Sequence, residues 1–233
     1  MSVFRFKQFE VDQSGCAMKI NTDGVLLAVL SQSETPKRIL DIGTGTGVIA
    51  LMLAQRFGQA EVHAVEIDEV AAGTAQRNFE NSVFKDRLRV SAVAIEQFDS
   101  AEQFDLIVSN PPYFVNDLKN ATEKKGLARH TDEVFFDQLL AKVASLLSEK
   151  GLFWFILPVK QAQLLVEKGK NHGLSLAKQI HLHSDERKPE FRRIVCLSRA
   201  GGEAASEHFY IYESEKVYTQ AYQALLKDFF LAY

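Results

Sequence analysis

Two short segments hold residue types that could do chemistry together. Asn110-Pro111-Pro112-Tyr113 offers an amide side chain, a stiff backbone and an aromatic ring in four consecutive residues. The prolines fix backbone direction. The Asn110 side-chain oxygen and the Pro111 carbonyl then form two acceptors aimed at one point. That pair suits a planar NH2 nitrogen, whose lone pair is delocalised and nucleophilically weak. Two acceptors on its two N–H bonds pull the nitrogen toward tetrahedral geometry. Tyr113 would stack on the flat substrate with about 1–3 kcal/mol. Pro112 completes the rigid segment.

The second segment, Ile39-Leu40-Asp41-Ile42-Gly43-Thr44-Gly45-Thr46-Gly47, reads as a buried strand running into a turn and a helix start. Gly43, Gly45 and Gly47 allow a tight turn and close approach of a ligand to backbone. The helix start adds unpaired amides with partial positive charge. Glu66 ends the next strand, about 20 residues on, where a carboxylate can take ribose hydroxyls. Gly45 to Ala50 also satisfies a dinucleotide fingerprint. Asp41 disfavours that reading, because it would repel a pyrophosphate. It suits the cationic amino group of a methionine moiety instead. The pair of segments therefore reads as a sulfonium methyl donor's site beside an amine-holding site.

The elements needed to position them are legible in outline. Phe4 to Val11 alternates aromatic and polar residues, as a short hairpin does. A helix is expected to start at Thr22 or Asp23, with one of them as its cap, and to run through Leu30. From Arg38, strands and helices alternate: strands at Ile39–Ile42, Val62–Glu66, Leu88–Val93, Phe104–Ser109 and Leu152–Leu157, with helices at 47–57, 69–81, 133–147 and 160–171. That pattern implies a parallel sheet covered on both faces. Leu176–His183 and Phe191–Leu197 have no helix between them and should pair antiparallel. His208–Tyr212 and a helix over 217–231 close the chain. The expected class is α/β, a Rossmann-like, seven-stranded and mostly parallel sheet with a C-terminal antiparallel β-hairpin. It is read as one domain over residues 1–233: an N-terminal extension (1–37), a cofactor-binding core (38–172) and a terminal hairpin and helix (173–233).

Composition bounds the rest. The formal net charge of -3 does not by itself announce a nucleic-acid partner. Its distribution is uneven: residues 1–110 carry -5, residues 111–200 carry +5 and residues 201–233 carry -3. A locally basic segment can bind a phosphate backbone. Its candidate ligands are Lys124, Lys125 and Arg129 in a polar loop after the Asn-Pro-Pro-Tyr segment, and Arg187, Lys188, Arg192 and Arg193 at the terminal hairpin. The two cysteines and six histidines show no metal spacing, so no metal is expected. No apolar run is long enough for a membrane span, and a reduced, cytoplasmic setting is the expectation.

The sequence resembles the class I, seven-stranded methyltransferases. Within them it is similar to the bacterial tRNA (adenine-N6)-methyltransferases that modify the adenine beside the anticodon of a valine tRNA. The resemblance runs over nearly the whole chain. It rests on Phe4-Arg5-Phe6-Lys7-Gln8-Phe9, Cys16-Ala17-Met18-Lys19, Thr22-Asp23-Gly24-Val25-Leu26-Leu27, Leu40-Asp41-Ile42-Gly43, Ala64-Val65-Glu66, Phe104 to Tyr113, and Tyr218-x-x-Ala221-Tyr222. It implies S-adenosylmethionine as cofactor and tRNA as partner; no membrane partner is expected, and the expected oligomeric state is a monomer. It implies that Asp41, Gly43, Gly45, Gly47 and Glu66 hold the cofactor, with Asn110 also contacting it, and that Asn110 to Tyr113 hold the target amine. Thr22, Asp23 and Gly24 would lie near the cofactor from the N-terminal side. Where such enzymes often place an acid against the cofactor adenine, this chain has Ala94, with Glu96 two residues on. Other substrates for the same chemistry are a protein glutamine, as in release-factor methyltransferases, or rRNA or DNA bases. A nicotinamide-dependent oxidoreductase is the alternative outside the class.

Overall fold

Strands form where apolar side chains run on both sides of the backbone, because a sheet buried on both faces needs no polar alternation. Arg38–Ile42 and Phe104–Ser109 are such runs, and the residues from Ile39 to Ile42 and from Leu106 to Ser109 are all buried. The computed structural model describes residues 3–112 and 123–232, with backbone alone from 123 to 132. Tyr113 thus lies outside the described residues, as do the side chains of Lys124, Lys125 and Arg129.

The chain opens with a hairpin, β1 (Val3–Arg5) and β2 (Glu10–Asp12), and helix α1 (Thr22–Leu30). Alternation follows: β3 (Arg38–Ile42), α2 (Val48–Arg56), β4 (Glu61–Glu66), α3 (Glu69–Glu80), β5 (Leu88–Ala92), β6 (Phe104–Ser109), α4 (Glu123–Leu146), β7 (Leu147–Leu157) and α5 (Val159–Gly169). The last part holds β8 (Ser175–His183), β9 (Glu190–Ser198), β10 (Ala205–Tyr210), β11 (Tyr212–Ser214), β12 (Val217–Tyr218) and α6 (Gln220–Leu226).

The main sheet has the order β10-β8-β9-β7-β6-β3-β4-β5. Strands β3 to β7 are mutually parallel, β9 runs antiparallel between β7 and β8, and β10 returns parallel to β8. The expected seven strands and antiparallel hairpin are present, and β10 extends the sheet to eight. One face packs α1, α2, α3 and the C-terminal segment around Phe79, Leu26, Met52 and Trp154. The other packs α4 and α5 around Phe136, Leu140, Phe153 and Leu165. No helix among the described residues is long and apolar enough to cross a membrane.

Three local expectations are corrected. Helix α1 is capped by Asn21, whose side chain accepts from the Gly24 amide at 2.9 Å, not by Thr22 or Asp23. The expected polar loop over 119–130 is helical from Glu123 onward, as the first turns of α4. The expected helix over 217–231 is split into β12 and α6. Thr219 caps α6 by accepting from the Tyr222 amide at 3.1 Å, and β12 pairs with β11.

The order of strands reverses at β3, with β4 and β5 on one side and β6 on the other. In an open α/β sheet the crevice at such a switch point, outside the carboxyl ends of the strands, takes the ligand. Ile42 and Ser109 lie opposite each other there. The glycine turn and the Asn-Pro-Pro segment thus leave the sheet side by side, one strand spacing apart.

Candidate active site

The turn after β3 is fastened to the end of β4. The amides of Gly43 and Thr44 donate to the Val65 carbonyl at 2.8 and 3.2 Å, and Gly47 donates to the Thr44 carbonyl at 2.9 Å. All three glycines have positive φ, from 55° to 84°. Their surroundings differ. A Cβ added at Gly43 or Gly45 would meet nothing within 4 Å, whereas at Gly47 it would lie 2.6 Å from the Phe79 ring. Gly43 and Gly45 leave room for a ligand. Gly47 leaves room for α3.

Glu66 closes the turn from the other side. It is buried, and its two oxygens accept from the Gly45 amide at 2.8 Å and the Asp68 amide at 3.0 Å. Each oxygen keeps a second lone pair for a hydroxyl. Asp41 is fully buried, and its Oδ2 accepts from the Thr44 hydroxyl at 2.6 Å. Its Oδ1 has no hydrogen-bond partner among the described residues. Burial, with the nearby Glu66 carboxylate adding to it, pushes the Asp41 carboxyl up to about 7.

A cavity of about 360 Å³ opens on this turn, a volume typical of small-molecule sites. Gly43, Gly45 and Glu66 form one wall; Ser109, Asn110, Pro111 and Pro112 form another. Ser109 is locked by its hydroxyl donating to the Ile42 carbonyl at 3.0 Å, which ties the base of the Asn-Pro-Pro segment to β3. Ala94 and Glu96 both line the cavity, on either side of the buried Ile95.

The structure also places in the wall residues to which the sequence analysis assigns no role. Cys16, Ala17 and Met18 cover it from the N-terminal side, and Phe135 of α4 reaches it as well. The Cys16–Met18 segment is held by two fastenings. Thr74 donates to the Ser14 carbonyl at 3.0 Å, and Gln13 accepts from the Ile20 amide at 2.8 Å. Buried Asn78 ties the hairpin to the turn, donating to the carbonyls of Asp12 and Thr46 and accepting from the Asp12 amide. Their only sequence signal was the Cys-Ala-Met-Lys motif. A wall assembled from loops near residues 16, 94 and 135 has no periodicity to betray it.

Other expected residues stand elsewhere. Thr22, Asp23 and Gly24 do not line the cavity; Asp23 pairs instead with Arg192 at 2.7 Å. Asp41 stands behind the wall, against the turn. Arg193 is held by both oxygens of Glu190 at 2.8 Å. Arg192 and Arg193 are thus engaged within the protein, whereas Arg187 and Lys188 are exposed on the β8–β9 connection. Lys188 lies 3.4 Å from Asp185 at the surface. Among the described residues no group of three or more His, Cys, Asp or Glu is placed to hold a metal ion.

The donor set fits S-adenosylmethionine. The open cradle at Gly43 and Gly45 would accept a methionine moiety, with the buried Asp41 carboxyl behind the turn steadying it through the Thr44 hydroxyl. Glu66 suits ribose hydroxyls. The largely apolar pocket from Ile67 to Ile95 suits a base.

The comparisons with known proteins give the family. The methyltransferase small domain family model matches residues 19–164. A tRNA1(Val) (adenine(37)-N6)-methyltransferase of Pedobacter heparinus is 60% identical, over 100% of this chain and 99% of that protein. One from Haemophilus influenzae Rd is 39% identical, over the full length of both. Among solved structures, a predicted O-methyltransferase from Agrobacterium tumefaciens has a TM-score of 0.69 at 18% identity, covering 89% of this chain and 96% of that one. A methyltransferase from Pyrococcus furiosus has a TM-score of 0.59 at 24% identity, covering 81% and 91%. These two likenesses establish the fold. The full-length relatives establish more: the chain belongs to the methyltransferase small domain family and, within it, to the tRNA1(Val) (adenine(37)-N6)-methyltransferases.

Proposed function

We propose that the protein methylates the exocyclic N6 of an adenine in tRNA, adenine 37 beside the anticodon of a valine tRNA, using S-adenosylmethionine. One observation carries the chemistry. Ile42 lies opposite Ser109, and Gly43, Gly45, Glu66 and Asn110 line one cavity, which supports reading them as cofactor cradle and amine holder. The RNA substrate is supported by the relatives' names and full-length similarity. We further read the enzyme as a cytoplasmic monomer.

Bound S-adenosylmethionine supplies an electrophilic methyl group. The chain supplies position. Asn110 Oδ1 and the Pro111 carbonyl accept the two N6 hydrogens, so the nitrogen lone pair turns out of the base plane toward the cradle. Pro111 is buried and Pro112 stiffens the exit, which holds both acceptors still. Tyr113 is assigned the stacking role against the base. An adenine in a single-stranded loop can be splayed out to reach such a pocket. On alkylation the nitrogen becomes cationic, and its proton is lost without a strong base.

Labelled-methyl transfer to tRNA that lacks the modification, followed by nucleoside analysis, tests the reading. N6-methyladenine is expected. Label on a protein glutamine instead would overturn it. Asn110→Ala is expected to lower kcat by at least about a hundred-fold, with cofactor affinity nearly unchanged.

A further inference from the structure

Outside the cavity, β8 and β10 carry an array of rings that the methyl-transfer chemistry does not use. His181 lies opposite His208 in register, and His183 lies opposite Tyr210. His181 and His208 stack with centroids 4.7 Å apart and planes 20° apart. His183 lies 5.1 Å from His208 and 5.0 Å from Tyr210 at about 30° to each. The His183 Nε2 and His208 Nδ1 share a hydrogen bond of 2.9 Å. Four rings thus overlap in one staggered ladder, with His208 its exposed member.

The ladder's place matters. Ile180 and Leu182, the alternate residues of β8, are buried in the core, so the histidines stand on the opposite face. Strands β8 and β10 end at the same edge of the sheet as β3 and β6, because β8 is antiparallel to β9 and β9 to β7. Asn110 lies three strands from β8 and four from β10 along that edge, or ~15–20 Å. Glu190 on this face is covered by Arg193 at 2.8 Å and His181 at 3.1 Å; on the connection, Asp185 lies 3.4 Å from Lys188 and Glu186 is exposed beside Arg187. The Lys188 carbonyl is tied to His183 Nδ1 at 3.0 Å, which brings the exposed Arg187–Lys188 connection alongside.

We propose that the His181–His208–His183–Tyr210 ladder is a stacking platform for unpaired bases of the substrate RNA, with Arg187 and Lys188 on the adjoining phosphates. It rests on the reading that the substrate is RNA. Ring faces in overlapping array, next to cations, recognise nucleobases by stacking rather than by hydrogen-bond readout. The continuous edge lets an RNA strand lie on the ladder while its target adenine enters the cavity.

The test is steady-state methylation and direct binding of a valine-tRNA anticodon stem-loop by His208→Ala, His208→Phe and His208→Leu, with melting temperatures measured alongside. His208→Ala is expected to raise KM and Kd for the RNA by about ten-fold. Its kcat at saturating RNA and its S-adenosylmethionine affinity stay unchanged. His208→Phe restores RNA affinity and His208→Leu does not. Unchanged RNA affinity in His208→Ala would overturn the platform and leave the face to another partner. Equal rescue by Leu and Phe would also overturn it and make the ladder a strand-packing device. If the unaltered enzyme methylates no RNA, both this inference and the RNA reading fall. If it methylates RNA while the three variants match it, only the platform falls.

Discussion

Burial pushes the Asp41 carboxyl up to about 7, and this has a consequence for stability. A carboxyl whose pKa is raised on folding binds a proton more tightly in the native state. Its folded-state penalty is absent below the unfolded value near 3.8, grows as pH rises, and is complete above about 7. The free protein should therefore lose stability from this group between pH 4 and pH 7. Asp41→Asn removes the titration. Urea melts at about pH 5 and pH 8 should show the variant gaining on the unaltered protein by a few kcal/mol across that window. Parallel profiles would mean that Asp41 is not the titrating group. S-adenosylmethionine should narrow the gap, because a cationic ligand on the far side of the glycine turn favours the ionised form of Asp41.

The glycine turn separates two tasks at the level of the element, and two substitutions can read them apart. Gly45→Ala places a methyl group in open space on the cavity side, with a backbone at φ 55°. It should weaken S-adenosylmethionine binding by an order of magnitude or more while costing about 1–2 kcal/mol of stability. Gly47→Ala forces a methyl group to 2.6 Å from the Phe79 ring at φ 84°. It should cost at least about 3 kcal/mol, with cofactor affinity per folded molecule little changed. Calorimetric titration and thermal melts of both variants check this; equal effects on binding would sink the division. The sequence could show three glycines but not which of them faces α3, since that depends on how Phe79 folds back. The βα alternation was legible because each core strand is a short apolar run. The start of α6 was missed because the apolar spacing over 217–231 looks continuous, and only the Thr219 cap breaks it. Asn21 was missed as a cap because Thr22 and Asp23 are equally good capping types. Packing decided, and it left Asp23 to face Arg192. Asn110, Glu66 and the glycines were placed by motif alone; the Cys16–Met18 wall needed the tertiary fold.

Across the whole molecule, a protein of net charge -3 must bind a polyanion through local charge. The basic excess over residues 111–200 is not all available for that. Arg192 and Arg193 are committed to Asp23 and Glu190 within the fold, whereas Arg187 and Lys188 are exposed at the ladder's end. Charge counting along the sequence cannot make that distinction, because each internal pair joins a cation to an acid by folding. It predicts a split outcome. Arg187→Ala combined with Lys188→Ala should flatten the dependence of log K on log salt by roughly one unit per lost phosphate contact, about two in all. The melting temperature should hardly move, since surface pairs such as Lys188–Asp185 contribute little. Arg193→Ala should do the reverse. It strips Glu190 of its two guanidinium hydrogen bonds and lowers the melting temperature, while the salt slope for RNA stays as it was. RNA affinity measured from about 50 to 300 mM salt for the three proteins decides the matter. A flattened slope in Arg193→Ala, or an unaltered one in the double variant, would move the phosphate-binding surface away from the β8–β9 connection.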